Sequence, residues 1–216
     1  GKWLNAGVEE SGTLSYPEAG SPQGGVISPL LSNVYLHEVL DTWFEAEVKP
    51  CLQGKAFLVR YADDLVIGFS NEADARRVLG VLPKRFGKYG LGLHPEKTRL
   101  VRFHPPQERQ DGGTDEPGSF DLLGFTHHWA KSRRGYWVIK RRTAKGRFQR
   151  AIHAIAEWCR ANRHRPISEQ HRILNQKLKV HNGYYGITGN AEALQRFRFK
   201  VGTIWHKWLS RRSNKR

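Results

Sequence analysis

The chain has 216 residues and a mass of 24.8 kDa, enough for one large domain or two small ones, and its 38% hydrophobic content can fill a core. No apolar run approaches the roughly 20 residues of a membrane helix, GKWLNAGVEESG lacks the plan of a signal peptide, and Cys51 and Cys159 are far apart with no C-x-x-C, which argues against a membrane partner, a disulfide framework or a zinc site. The expectation is a cytoplasmic protein with reduced thiols, whose 36 Lys+Arg against 20 Asp+Glu (net +16, pI near 10.2) favours polyanionic partners.

SPQGGVISP (residues 21–29) reads as a turn-rich loop, with Ser28 and Pro29 as N-cap and first position of a helix. Leu31, Val34, Leu36, Val39, Leu40 and Trp43 give that helix an apolar face to about Val48, and Pro50 stops it. FLVRYADDLVIGFS (57–70) reads as two strands folding back on each other. Asn71 and Asp74 resemble a capping arrangement for a helix carrying Val78, Leu82 and Phe86, with Pro83 inside it and Gly87 and Gly90 at its end. Residues 90–103 predict a turn and a strand, 104–119 a surface loop, and FDLLGFTHHWA with GYWVIKRRT a hairpin about residues 131–134.

From Thr143 the apolar period becomes helical, with stripes at Phe148, Ile152, Ile155 and Trp158 and at Leu194, Phe197, Val201, Ile204 and Trp208, and a helix between them near Ile167 to Tyr185. The charge divides accordingly. Residues 126–216 hold 23 basic and 3 acidic side chains, net +20, whereas residues 1–125 are net −4. The reading is an α+β region of residues 1–142 followed by a basic helical bundle of residues 143–216, the latter suited to nucleic acid.

Asp63 and Asp64 carry the chemistry. Two adjacent carboxylates between apolar, β-branched strands repel each other, and a hard divalent cation bound by their oxygens removes that repulsion. The alternative is an Asp-Asp turn whose side chains cap their own backbone. The residues alone leave both open.

YADD (61–64) between apolar strands resembles the metal-binding hairpin of reverse transcriptases, and the surrounding strings resemble the enzymes encoded by group II introns. SPQGGVISPLLSN (21–33) is similar to their PQG loop and helix, GLGLHPEKTRLV (90–101) to the next block with its lysine, and LLGF with Leu123, Gly124 and Phe125 to the primer-grip hairpin. The segment from Thr143, with HNGYYGI (181–187), is similar to the thumb or maturase region, so the resemblance spans nearly the whole chain. It implies a partial palm, an antiparallel sheet with helices, followed by an α-helical thumb. It implies RNA-directed DNA polymerisation in which Asp63 and Asp64 hold two Mg2+ ions, with Mn2+ as a substitute. Gln23 and Gly24 would lie against the nascent base pair, Tyr61 and Ala62 would brace the primer end, and Lys97 would touch phosphate or nucleotide. The implied partners are an RNA template and primer duplex, group II intron RNA and dNTP.

The family also carries a third carboxylate on a strand upstream of the PQG loop, together with fingers. Neither is present in this sequence, and Asp41 and Asp121 do not match the motif. With two of three ligands the chain alone is expected to be inactive. Three explanations compete: a fragment of a longer enzyme, a polymerase completed by a separate N-terminal fingers/palm polypeptide, or an RNA-binding maturase module that assists splicing. The last rests on Arg147, Arg150, Lys177, Lys179, Arg196 and Lys200 as RNA-backbone contacts, with Tyr184, Tyr185 and Trp205 as stacking or core residues. The ten histidines, including His127, His128 and His181, are read as solvated or phosphate-contacting side chains, not as metal ligands.

Overall fold

The computed structural model describes residues 27–106 and 117–212 and the backbone of residues 8–10 and 13–15. The chain divides into two compact units, Gly1–Leu100 and Val101–Arg216, and each is taken by itself.

In the first unit, β1 (Val8–Glu10) pairs antiparallel with β2 (Thr13–Ser15). Helix α1 (Ser28–Leu36) follows. Its cap position falls on Ile27, which offers no side-chain bond, so Ser28 enters the first turn with Pro29 instead of capping it. The helix then widens into π-helical turns at His37–Thr42 and Phe44–Val48 and closes in a 3-10 turn at Lys49–Cys51, where Pro50 ends it as expected.

Strands β3 (Ala56–Tyr61) and β4 (Asp64–Phe69) form an antiparallel hairpin with Phe57 opposite Gly68. A Cβ on Gly68 would lie 2.3 Å from the Phe57 ring, so only glycine lets that ring cross the neighbouring strand. Helix α2 (Glu72–Lys88) starts at Asn71, whose side chain accepts from the Ala73 N–H at 2.8 Å. Acidic Glu72 and Asp74 sit in its first turn and basic Arg85 and Lys88 in its last, which complements the helix dipole. Asp74 does not complete a capping box. It is buried and accepts from the Gln53 and Gly54 N–H groups at 2.9 and 2.8 Å, tying the loop before β3 to α2.

The core of this unit joins Val39, Leu40, Trp43, Phe44 and Val48 to Val78, Leu82 and Phe86, with Leu58, Leu65 and Ile67 of the hairpin packed against it. Burying each such side chain contributes about 1.5–3 kcal/mol. The strand expected within residues 90–103 does not form; residues 94–98 instead make a turn in which the Lys97 and Thr98 N–H groups bond the His94 carbonyl. Pro95 cannot donate to a ladder, which disfavours a strand there.

In the second unit, β5 (Phe120–Leu122), β6 (Phe125–Lys131) and β7 (Trp137–Thr143) form an antiparallel sheet in that order, containing the expected hairpin and adding a tight turn at Leu123 and Gly124. Helices α3 (Lys145–Ala161), α4 (Ile167–Tyr185) and α5 (Ala191–Leu209) pack through Ile155, Cys159, Leu174, Phe197 and Val201. Asn190, 1% exposed, knots the sheet to the helices: its Oδ1 accepts from the Thr143 N–H, and its Nδ2 donates to Thr143 Oγ1 and the Tyr185 carbonyl, all at 2.9 Å. The α+β organisation expected from the sequence is the one observed. Both cysteines are free, and burial pushes the Cys159 thiol up to about 11. Among the described residues no helix is long and apolar enough to cross a membrane.

Candidate functional site

Strand alternation places Phe57, Val59 and Tyr61 on one face of β3 and Ala56, Leu58 and Arg60 on the other, the face turned to the core. Tyr61 pairs with Asp64, so Ala62 and Asp63 alone make the turn. Ala62 takes a left-handed backbone, φ 53°, which costs an L-residue about 1 kcal/mol.

Asp63 and Asp64 are both exposed, and among the described residues neither carboxylate has a hydrogen bond or ion pair. They do not cap their own backbone. The nearest arginine in sequence, Arg60, is engaged elsewhere: Nε and Nη2 grip Asp41 at 2.8 and 2.6 Å, and Nη1 bonds Asn33 Oδ1 at 2.9 Å and the Ala62 carbonyl at 3.0 Å. The hydrogen bond from Arg60 holds the Asp41 carboxyl below its ordinary value against the opposing pull of partial burial. Asp41 is thus an ion-pair partner.

Two unpaired hard-oxygen donors suit a magnesium-type ion, which takes one or two carboxylates and completes its shell with water and substrate phosphates. No group of three or more His, Cys, Asp or Glu able to hold a metal occurs among the described residues, so the pair by itself falls short of such a group. Lys97 is exposed in the turn of residues 94–98, while Gln23 and Gly24 lie outside the described residues.

In the second unit the predicted primer-grip residues occupy a two-residue turn with Leu123 at φ 51° and Gly124 at φ 78°. Positive φ at both positions is the type I′ pattern, which glycine adopts freely and leucine does not. Tyr184 Oη donates to the Leu123 carbonyl at 2.8 Å, Phe125 stacks on Tyr184 at 5.8 Å, and Tyr185 meets Phe125 edge-on at 5.2 Å. A Cβ on Gly124 would lie 3.0 Å from Tyr185 Oη and 3.7 Å from Arg147 Cγ, so Arg147 stands beside this turn.

Arg147, Arg150, Lys177, Lys179, Arg196 and Lys200 are all exposed on α3, α4 and α5. Lys177 lies over the Trp158 ring at 5.9 Å and Arg196 over Phe148 at 5.8 Å, which buries their stems while leaving their charge in water. Trp205 is a packing residue, its indole N–H bonded to buried Gln170 at 2.9 Å. Two histidines differ from the solvated reading. His127 stacks on Phe120 at 4.9 Å and His181 on Phe197 at 3.7 Å, and burial lowers the pKa of both.

Sequence reasoning missed Arg60, Asn33 and the Tyr184 contact. A signal for the first existed: period-2 alternation puts Arg60 on the core face with Ala56 and Leu58, where a guanidinium demands a partner.

Residues 2–127 match the family model described as reverse transcriptase (RNA-dependent DNA polymerase), and the chain belongs to that family. Among curated relatives it is similar to the group II intron-encoded protein LtrA of Lactococcus lactis subsp. cremoris, 50% identical over 38 residues, or 18% of this chain and 6% of that protein. It is also similar to an uncharacterized 91 kDa protein in the cob intron of Schizosaccharomyces pombe, 46% identical over 44 residues, or 20% of this chain and 5% of that protein. The chain therefore matches a small part of these longer relatives. The family resemblance carried by YADD and its neighbours is borne out, and the α+β arrangement agrees with a partial palm and a following helical region.

Proposed function

We propose that the chain is the nucleotidyl-transfer part of a group II intron-type reverse transcriptase, with Asp63 and Asp64 holding two Mg2+ ions and a third carboxylate contributed from outside this sequence. The observation that carries the reading is a pair of exposed, unpaired aspartates on a hairpin turn, in a chain of the reverse transcriptase family, with the neighbouring arginine occupied by Asp41. Bound divalent ions supply stabilisation of the attacking and leaving oxygens in transfer of a nucleotide to a primer hydroxyl. The chain's own residues position the reactants: Gln23 and Gly24 against the new base pair, Tyr61 and Ala62 at the primer end, Lys97 on phosphate. Leu123, Gly124 and Phe125 support the primer strand, and the basic helices from residue 143 form a thumb that tracks the template duplex. The test is primer extension on an RNA template with magnesium, with the chain alone and with a polypeptide carrying the family's upstream strand. Synthesis only in the second case, abolished by Asp63→Ala with Asp64→Ala, supports the reading; synthesis by the chain alone would show that the third ligand lies within it.

A second reading, an RNA-binding maturase module without polymerisation, is favoured by the six exposed basic side chains on α3–α5. Salt-sensitive RNA binding that survives the double substitution, without synthesis in either case, would decide for it.

A further inference from the structure

The turn bearing the two aspartates has an unfavourable backbone. A left-handed φ at a non-glycine residue is disfavoured roughly five- to thirtyfold, and Ala62 at φ 53° has no glycine beside it to share the reversal, because the other turn residue is Asp63. Something must hold it. The Ala62 carbonyl accepts from Arg60 Nη1 at 3.0 Å, and a charged donor on a carbonyl shifts such an equilibrium by roughly ten- to a hundredfold.

Arg60 is itself fixed. Its Nε reaches Asp41 Oδ1 at 2.8 Å, its Nη2 reaches Asp41 Oδ2 at 2.6 Å, and Nη1 also bonds Asn33 at 2.9 Å. All three guanidinium nitrogens are therefore engaged, and its side chain is 13% exposed. The two side-chain acceptors, Asn33 and Asp41, come from one face of the preceding helix, with His37 midway between them at a spacing of four and its Nδ1 3.3 Å from Asp41 Oδ2. The π-helical turn His37–Thr42 contains Asp41, and such widened turns favour functional positions. A lysine could not reproduce this arrangement, since a single ammonium lacks the planar fork that meets a carboxylate and two further acceptors together.

We propose that Arg60 is a positioning residue for Asp63 and Asp64: anchored on Asp41 and Asn33, it clamps the Ala62 carbonyl and fixes the strained turn on which both carboxylates stand. The clamp also keeps the arginine off the carboxylates themselves. This inference rests on the reading of Asp63 and Asp64 as metal ligands, and its test separates the two.

The full chain is compared with Arg60→Lys, Asp41→Asn and Val66→Ala, the last weakening the same hairpin at a residue paired with Val59, away from the turn. Two quantities are read: the Ala62 backbone, from its 13Cα shift and HN–Hα coupling, and the affinity for Mn2+, from the free-ion EPR signal. Expected is loss of the left-handed Ala62 signature and roughly tenfold weaker Mn2+ binding in R60K and D41N, with neither change in V66A at an equal loss of unfolding midpoint. If R60K does not fold, D41N carries the test, because it frees the guanidinium from its anchor and so loosens its hold on the Ala62 carbonyl while keeping the arginine in place. An unchanged Ala62 signature in the clamp variants, or an equal loss in V66A, overturns the clamp. Wild-type Mn2+ binding that survives Asp63→Asn with Asp64→Asn overturns the metal reading instead, and with it the purpose assigned to Arg60.

Discussion

The β3–β4 turn and the β5–β6 turn each hold a non-glycine residue in the left-handed region, Ala62 at φ 53° and Leu123 at φ 51°, and in each the carbonyl of that residue accepts from a side chain. The donors differ in kind. Arg60 is charged, largely buried and itself gripped by Asp41, whereas Tyr184 is a neutral phenol, 55% exposed. The turns differ correspondingly: Leu123 is followed by Gly124, which takes its own positive φ of 78° at no steric cost, while Ala62 is followed by Asp63. The turn that carries a carboxylate at the place a glycine would ease is the one with the stronger donor.

Removing the two donors one at a time tests whether they differ in strength. Arg60→Ala should lower the unfolding free energy by about 2–3 kcal/mol, because it also strands Asp41 without its partner, as read from urea titration. Tyr184→Phe should cost about 0.5–1.5 kcal/mol, one neutral hydrogen bond at a half-exposed site. An equal loss in the two variants would mean that the fork on Asp41 adds nothing. Ala62→Gly should stabilise the chain by up to about 1 kcal/mol by relieving the left-handed strain, a gain visible as a higher melting temperature.

The smallest and most gradual effect is on acidification. His127 and His181 are held below their ordinary 6.5 chiefly by burial, so unfolding takes up protons once pH drops under that value. Their contribution is complete above pH 6.5 and is lost as pH falls through the depressed folded values. Asp41, held below its ordinary 3.8 first by the Arg60 hydrogen bond, keeps its contribution until pH falls beneath that range. The indole signal of Trp129, two residues from His127 on β6, should therefore change at higher pH than that of Trp43, two residues from Asp41, during an acid titration followed by NMR; the reverse order would contradict these assignments.

The hairpin was legible in FLVRYADDLVIGFS because alternation and a tight acidic turn are local, and the helices from residue 143 were legible because their apolar stripes repeat. The Arg60 clamp was not read, since its anchor lies 19 residues upstream on a helix whose widening nothing in the sequence announces. The failed strand within residues 90–103 shows the converse: β-forming residues make no ladder without a partner, and His94 and Pro95 favour a turn. His127 and His181 were misjudged because a histidine's charge invites solvent, while its flat ring also stacks between aromatics. The aspartate pair was visible in the string YADD; that its carboxylates lack partners became visible only in three dimensions.

Helix α3 opens with Lys145 and Arg147 and has no acidic residue in its first turn, so like charges meet the positive pole of the helix beside the Leu123–Gly124 turn. In dilute buffer that end of the bundle repels itself, and the strain is relieved by anything that brings mobile negative charge. The protein should accordingly grow more heat-resistant as salt is raised from low ionic strength, opposite to a fold held together by surface ion pairs. A nucleic-acid backbone laid across this end would act as a bound counterion, so that part of what the helix gives up in isolation returns as affinity.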